Sequence, residues 1–251
     1  MKNSIMKMLA GASLLALAAF GAVPAGAATL ANGGFLGTPT NPAPGGAFET
    51  LFANGATSTA ISGWTVVAGS VDWINTYWTA PNNSLSIDMN GNGPGAIRSD
   101  PFATTVGMTY VVQFQMSGNS DSGCAPYDPP STKSVSLGEG EGYTFASYST
   151  RDQVFPTGQS GKSTWETQTH AFTARYTSTS LVFIADPTNT TPCGPVIADV
   201  SVTEVATTGA QCKNGGWETL ANPSTLLMFK NQGACVSYFA TAGDVPIGSG
   251  S

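Results

Sequence analysis

An all-β sandwich or barrel is the fold class that this 251-residue sequence predicts. Three observations carry the prediction. Apolar residues recur at every second position in short runs, with no sustained helical period. Clusters of Gly, Pro, Asn and Ser separate those runs, drawing on 30 Gly and 16 Pro. Charged residues make up only 10% of the chain, so Ser, Thr and Asn carry most of its polarity.

The first 27 residues stand outside that fold. Lys2 and Lys7 precede an apolar stretch from Met8 to Val23, and Ala25-Gly26-Ala27 offers the small-x-small pattern that a signal peptidase reads. Cleavage after Ala27 and export to a secreted, extracellular or periplasmic location are expected. The apolar stretch falls short of the roughly 20 residues that a bilayer span needs. The first cysteine beyond the site is Cys124, so neither a membrane anchor nor a lipid anchor is expected.

The mature chain then alternates. Tyr110, Val112, Phe114 and Met116 fall on one face of a run, with Val111, Gln113 and Gln115 on the other. Ser84 to Asn90 repeats the pattern with Leu85, Ile87 and Met89 inward. Val196 to Val202 does so with Val196, Ala198, Val200 and Val202 inward. Further strands are predicted at Trp64–Val67, Val71–Ile74, Ser134–Leu137, Tyr143–Ser147, Gln168–Tyr176 and Leu181–Ala185. The glycine-rich, acidic Gly138–Gly142 reads as a hairpin loop.

Beyond this domain of residues 28–205, residues 206–210 read as a linker. A small unit over 211–243 and a flexible tail over 244–251 follow. In the small unit Asn231 caps a helix running through Ala242, with Gly243 as its stop. So short a unit needs a disulfide and the packing of Trp217, Phe229 and Phe239 to hold it. Four cysteines in an exported chain imply two disulfides among three possible connectivities. Cys212 and Cys235 flank the small unit, while Cys124 and Cys193 both sit in Pro-rich loops of the main domain. The favoured pairing is therefore Cys124–Cys193 with Cys212–Cys235.

A net charge of −6 without any Lys/Arg cluster excludes nucleic acid as a partner. A zinc centre fails on spacing, because there is no CxxC pair and His170 is the single histidine. His170 lies in a strand pattern with Phe172 and Tyr176, the reading of a structural histidine rather than a triad base. Asp72, Asp88, Glu139, Glu141 and Glu166 offer carboxylates for a glycosidase pair, as any acidic chain does, and no catalytic residue is assigned.

The aromatic set points to binding. Trp73, Tyr77 and Trp78 crowd a short window with Asp72, Asn75 and Thr76. Sugar recognition needs such aromatic faces beside amide and carboxylate groups. Alternation places Val71 and Trp73 on one strand face and Asp72 and Ile74 on the other. Trp64 and Trp73 are thus assigned to the core. The glycan site is assigned to Trp78 as the stacking ring, Tyr77 as its extension, and Asn75 and Asp72 as hydrogen-bonding groups.

The ordered runs Asn32-Gly33-Gly34-Phe35, Gly63-Trp64-Thr65-Val66, Gly69–Ile74, Ser84–Gly91, Pro94–Ile97, Tyr110–Asn119 and Gly194–Val202 resemble the bacterial choice-of-anchor C proteins and their plant cell-wall relatives, domain of unknown function 642. The resemblance covers residues 30–205. It implies a jelly-roll sandwich like the galactose-binding domains, with first and last strands side by side. Its plant members bind wall polysaccharide and interact with wall-modifying enzymes; its bacterial members are surface or secreted proteins. The C-terminal unit resembles a small module of exported bacterial proteins. In similar sandwiches a carboxylate of the first strand and an Asp near the last share a structural calcium. Here Asp199 matches, but Leu36 stands where the motif continues with Glu. The expectation is a weak calcium site at Asp199, completed near Asn32 and Glu49. The chain is thus expected to be an exported, non-enzymatic protein that binds polysaccharide or cell-wall glycan, or belongs to the matrix or cell surface. The alternatives are an adhesion protein that contacts other proteins and, behind it, a glycan hydrolase.

Overall fold

The computed structural model describes residues 28–39, 47–121, 124, 132–140, 146–151 and 164–242. The signal segment, Glu141 to Tyr143 and the tail from Gly243 onward lie outside the described residues.

Two antiparallel sheets face one another. The larger contains β1 (Phe48–Phe52), β3 (Ser70–Ile74), β4 (Ser86–Asp88), β7 (Thr109–Gly118), β10 (Glu166–Thr173), β13 (Pro195–Val205) and β14 (Leu220–Ala221). Its strand order is β1-β3-β4-β13-β7-β10, and β14 joins β13 in parallel. The smaller runs β2-β5-β12-β8-β9, from β2 (Trp64–Ala68), β5 (Ala96–Ser99), β8 (Thr132–Glu139), β9 (Ala146–Arg151) and β12 (Leu181–Ala185). A short pair, β6 (Phe102–Ala103) with β11 (Ser178–Thr179), stands apart.

Paired residues on neighbouring strands share a sheet face, so register decides what is buried. In the larger sheet the row Trp73, Ile87, Ile197 and Met116 faces inward. Opposite lies the row Val66, Ile97, Phe183 and Leu137 of the smaller sheet. All eight side chains belong to one core cluster. Phe114 bridges the layers edge-on, its ring 5.1 Å from Phe183. The alternation over Tyr110–Met116 is as expected, with all four inward residues fully buried.

The Asn32–Phe35 motif forms a turn that locks onto this core. Trp64 donates its indole N–H to the Asn32 carbonyl at 3.0 Å, and Trp73 donates to that of Phe35 at 2.9 Å. The Asn32 amide spans the turn, accepting from the Leu36 N–H at 2.7 Å and donating to the Ser62 carbonyl at 2.9 Å. Gly33 is obligatory, because a Cβ there would lie 1.8 Å from the Val200 carbonyl oxygen.

Three expectations are corrected. The first and last strands of the sandwich are not neighbours: β1 is an edge strand paired with β3, and β13 lies between β4 and β7. Val196 and Ala198 do not point into the core. A bulge between Ala198 and Ser201, with Asp199 at φ 49°, shifts the phase, so Ile197 faces inward before it and Val200 and Val202 after it. Residues 206–210 are no free linker: Ala206 is fully buried and its N–H bonds the Ala221 carbonyl at 3.0 Å.

The C-terminal unit is therefore seated on the sandwich. Ala206, Cys212, Leu220, Phe229, Cys235 and Phe239 form its small core. Helix α1 (Gln232–Ala242) starts at Asn231, whose side-chain oxygen accepts the Ala234 N–H at 2.8 Å. The structure pairs Cys124 with Cys193 and Cys212 with Cys235. No helix among the described residues is long and apolar enough to cross a membrane.

Candidate functional site

The outer face of the larger sheet, opposite the core, carries the chemistry. One of its rows reads Thr50, Asp72, Asp88, Val196, Ser117, and the next Phe48, Ile74, Ser86, Ala198, Gln115, Thr167. Past the bulge come Ser201, Gln113, Thr169 and then Thr203, Val111, Ala171. None of these positions holds Lys, Arg or His.

At one corner the segment after β3 folds back over the face. Trp78 packs on Ile74 and Val196, with half-buried Phe48, Tyr77 and Trp165 against them. The Trp78 indole N–H donates to the Ser86 hydroxyl at 2.9 Å, and the residue is only 5% exposed. This corrects its assignment as an open stacking ring: both its apolar surface and its polar tip are used inside the protein. Tyr77 does keep surface. Its ring lies 5.4 Å from Trp78 and 5.8 Å from Phe48, and its hydroxyl donates to Asp121. Burial, reinforced by Asp121, pushes its phenol up to about 12. Trp165 donates to the Thr79 carbonyl at 3.2 Å.

Beside this corner Asp72 and Asp88 stand directly opposite one another on β3 and β4. Asp72 is half-buried and accepts from the Thr50 hydroxyl at 2.6 Å. Burial raises its carboxyl above the ordinary range, and the Thr50 bond partly opposes this. Asp88 is 1% exposed. One of its oxygens accepts the N–H groups of Asn90 and Gly194, at 2.9 and 3.1 Å, and the other the Asn119 amide at 2.6 Å. Burial drives the Asp88 carboxyl well above its usual range; the Asn90 bond pulls it down, Asp72 adds to the rise, and Asn119 and Gly194 lower it. A Cβ on Gly194 would sit 2.5 Å from that carboxylate, which is why the loop before β13 carries glycine here. Asn75 is half-buried at the start of the same fold-back, its N–H bonding the Ala47 carbonyl at 2.9 Å.

The residues expected to hold calcium do not form a site. Asp199 accepts from the Asn82 amide, and the Asn32 side chain is consumed by its own turn. Glu49 is 2% exposed in the inward row with Trp73. It lies roughly 14 Å from β13 by three strand spacings, too far to share an ion with Asp199. Among the described residues no group of three or more His, Cys, Asp and Glu is placed to hold a metal. His170 is structural: it bonds Glu139 at 3.1 Å and stacks on Phe172.

Trp165, Thr50, Asn119 and Asp121 escaped sequence reasoning. The one available signal was Trp165, a lone aromatic in a polar stretch with no alternation to bury it.

Two antiparallel sheets around a packed interior, with an aromatic corner on the outer face, define this protein as a β-sandwich. The chain belongs to the family described as "Protein of unknown function (DUF642)", whose model matches residues 28–203. Halomucin from Haloquadratum walsbyi is 29% identical over 173 residues; the match covers 69% of this chain and 2% of that protein's length. Among solved structures, a CBM35 from Paenibacillus barcinonensis matches with a TM-score of 0.38 at 16% identity, over 62% of this chain and 98% of that one. A structure described as "CBM4 structure and function" matches at 0.33 and 13%, over 70% and 99%. TmCBM61 in complex with β-1,4-galactotriose matches at 0.33 and 11%, over 62% and 86%. At such identities and TM-scores the likeness does not choose a ligand.

Proposed function

We propose that this is an exported, non-enzymatic protein that binds neutral glycans on the outer face of its larger sheet. One observation carries the reading: half-buried Phe48, Tyr77 and Trp165 pack against Ile74, Trp78 and Val196, next to the row that holds Asp72, on a sheet face whose strand positions hold no cationic side chain. Aromatic carbons meet the apolar face of a pyranose, and Asp72 and Asn75 meet its hydroxyls. Trp78 serves underneath as the buttress that fixes Tyr77. The carboxylate pair supports binding over hydrolysis, because Asp88 is buried and its oxygens are already taken by Asn90, Gly194 and Asn119. Two disulfides support an oxidising compartment.

Affinity electrophoresis in gels containing neutral wall polysaccharides tests the reading. Tyr77→Ala and Trp165→Ala are expected to weaken retention by about 1–3 kcal/mol each with the fold intact. Retention of both variants equal to wild type overturns it.

A further inference from the structure

The outer face holds a second polar region, away from the aromatic corner, whose hydrogen bonding is incomplete. Gln115 and Gln113 sit two residues apart on β7 with their side chains on this face, opposite Thr167 and Thr169 of β10. The two glutamines have the same setting but behave differently. Gln115 donates its amide to the Thr167 hydroxyl at 2.9 Å. The amide nitrogen of Gln113 is shielded from solvent and has no hydrogen-bond partner among the described residues. On its two sides stand Ser201 of β13 and Thr169, both exposed.

We infer that Gln113, with Ser201 and Thr169, forms a second sugar subsite on the outer face. The inference rests on the glycan reading above. An amide donor left unmade in the free protein favours any partner that accepts from it. A half-buried glutamine needs only a side-chain rotation to offer that donor outward. The flanking hydroxyls each donate and accept, the pairing that a sugar's own hydroxyls require. The three residues come from three adjacent strands, so the sheet itself fixes their spacing. None of the three side chains is charged, which suits the subsite to an uncharged sugar.

Its position sets the ligand. Gln113 lies three strands across from Asp72 and four residues along β7 from Ser117, the residue in line with Asp72, which separates the two regions by on the order of 20 Å. No monosaccharide or disaccharide reaches from one to the other. The ligand that uses both is an extended oligosaccharide running obliquely across the strands.

Chain-length dependence tests this. Backbone amide shifts are followed by NMR while xylo- and cello-oligosaccharides, as disaccharides and hexasaccharides, are added to wild type, Gln113→Leu and the control Gln115→Leu. The hexasaccharide of the preferred series is expected to shift residues around both Tyr77 and Gln113, the disaccharide only those around Tyr77. Gln113→Leu should weaken hexasaccharide binding about tenfold and leave the disaccharide unchanged. Thermal melting of both variants keeps folding separate from binding. Shifts confined to the Tyr77 region, or equal hexasaccharide affinity for Gln113→Leu and wild type, overturn the second subsite and leave the glycan reading standing. No shift near Tyr77 with any oligosaccharide overturns both.

Discussion

Trp73 and Trp78 are five residues apart, both are buried, and each donates its indole N–H inside the protein. Trp73 faces the interior of the sandwich and holds the N-terminal turn through the Phe35 carbonyl. Trp78 belongs to the opposite face, where the loop after β3 brings it down onto Ile74, Val196 and the Ser86 hydroxyl. The inner face is an apolar layer interrupted at its β1 edge by Glu49. The outer face is a patchwork of a small aromatic cluster, an acid pair and hydroxyl rows. Burial alone therefore does not mark a core residue here; on the outer face it marks the support of a surface.

The largest effect separating the two faces is expected for Trp73→Ala. It removes a core ring and frees the turn, so chemical denaturation should show a loss of about 3–5 kcal/mol. Trp78→Ala should cost less, about 2–4 kcal/mol, because the outer cluster is shallow and relaxes toward solvent. It should also weaken glycan retention, through loss of the support under Tyr77. If Trp78→Ala abolishes retention with no loss of stability, the ring contacts ligand directly and the contrast between the faces fails.

The smallest effect concerns pH. Asp72 and Asp88 both have carboxyls raised in the folded state, so the native protein holds their protons more tightly than the unfolded chain does. Their contribution to stability is complete below the ordinary carboxylate range of about 4 and is lost as pH rises through the raised values. Asp72→Asn keeps an oxygen for Thr50 and removes the charge opposite Asp88. Melting temperatures measured from about pH 4 to neutral should therefore decline less in Asp72→Asn than in wild type. Parallel profiles would show that the pair is not coupled across the strands.

Much of the fold is legible in the sequence. Period-two alternation identified Tyr110–Met116 and the opposed faces of Asp72 and Trp73, because a strand's side chains must alternate whatever surrounds it. The Asn231 cap was readable for the same reason, since a helix start is satisfied by residues within one turn of it. The phase of Val196–Val202 was not: the bulge at Asp199 inserts a residue, and no local pattern announces it. Edge strand β1 was missed because its exposed Phe52 and buried Glu49 invert the usual polarity code.

The candidate site divides the same way. Sequence by itself determined only that Asp72, Asn75, Tyr77 and Trp78 lie within one short stretch at the end of a strand. Only the tertiary structure decided that Trp78 is a buttress, since Val196 comes from a strand far along the chain and the Ser86 hydroxyl is brought under the indole by the fold-back of the loop between β3 and β4. It likewise placed Asp88 across from Asp72, brought Trp165 to Thr79, and left the Gln113 amide nitrogen without a partner among the described residues while that of Gln115 found Thr167. Such pairings depend on strand order and register, which are set by the burial of the whole inner face and not by the residues that meet on the outer one.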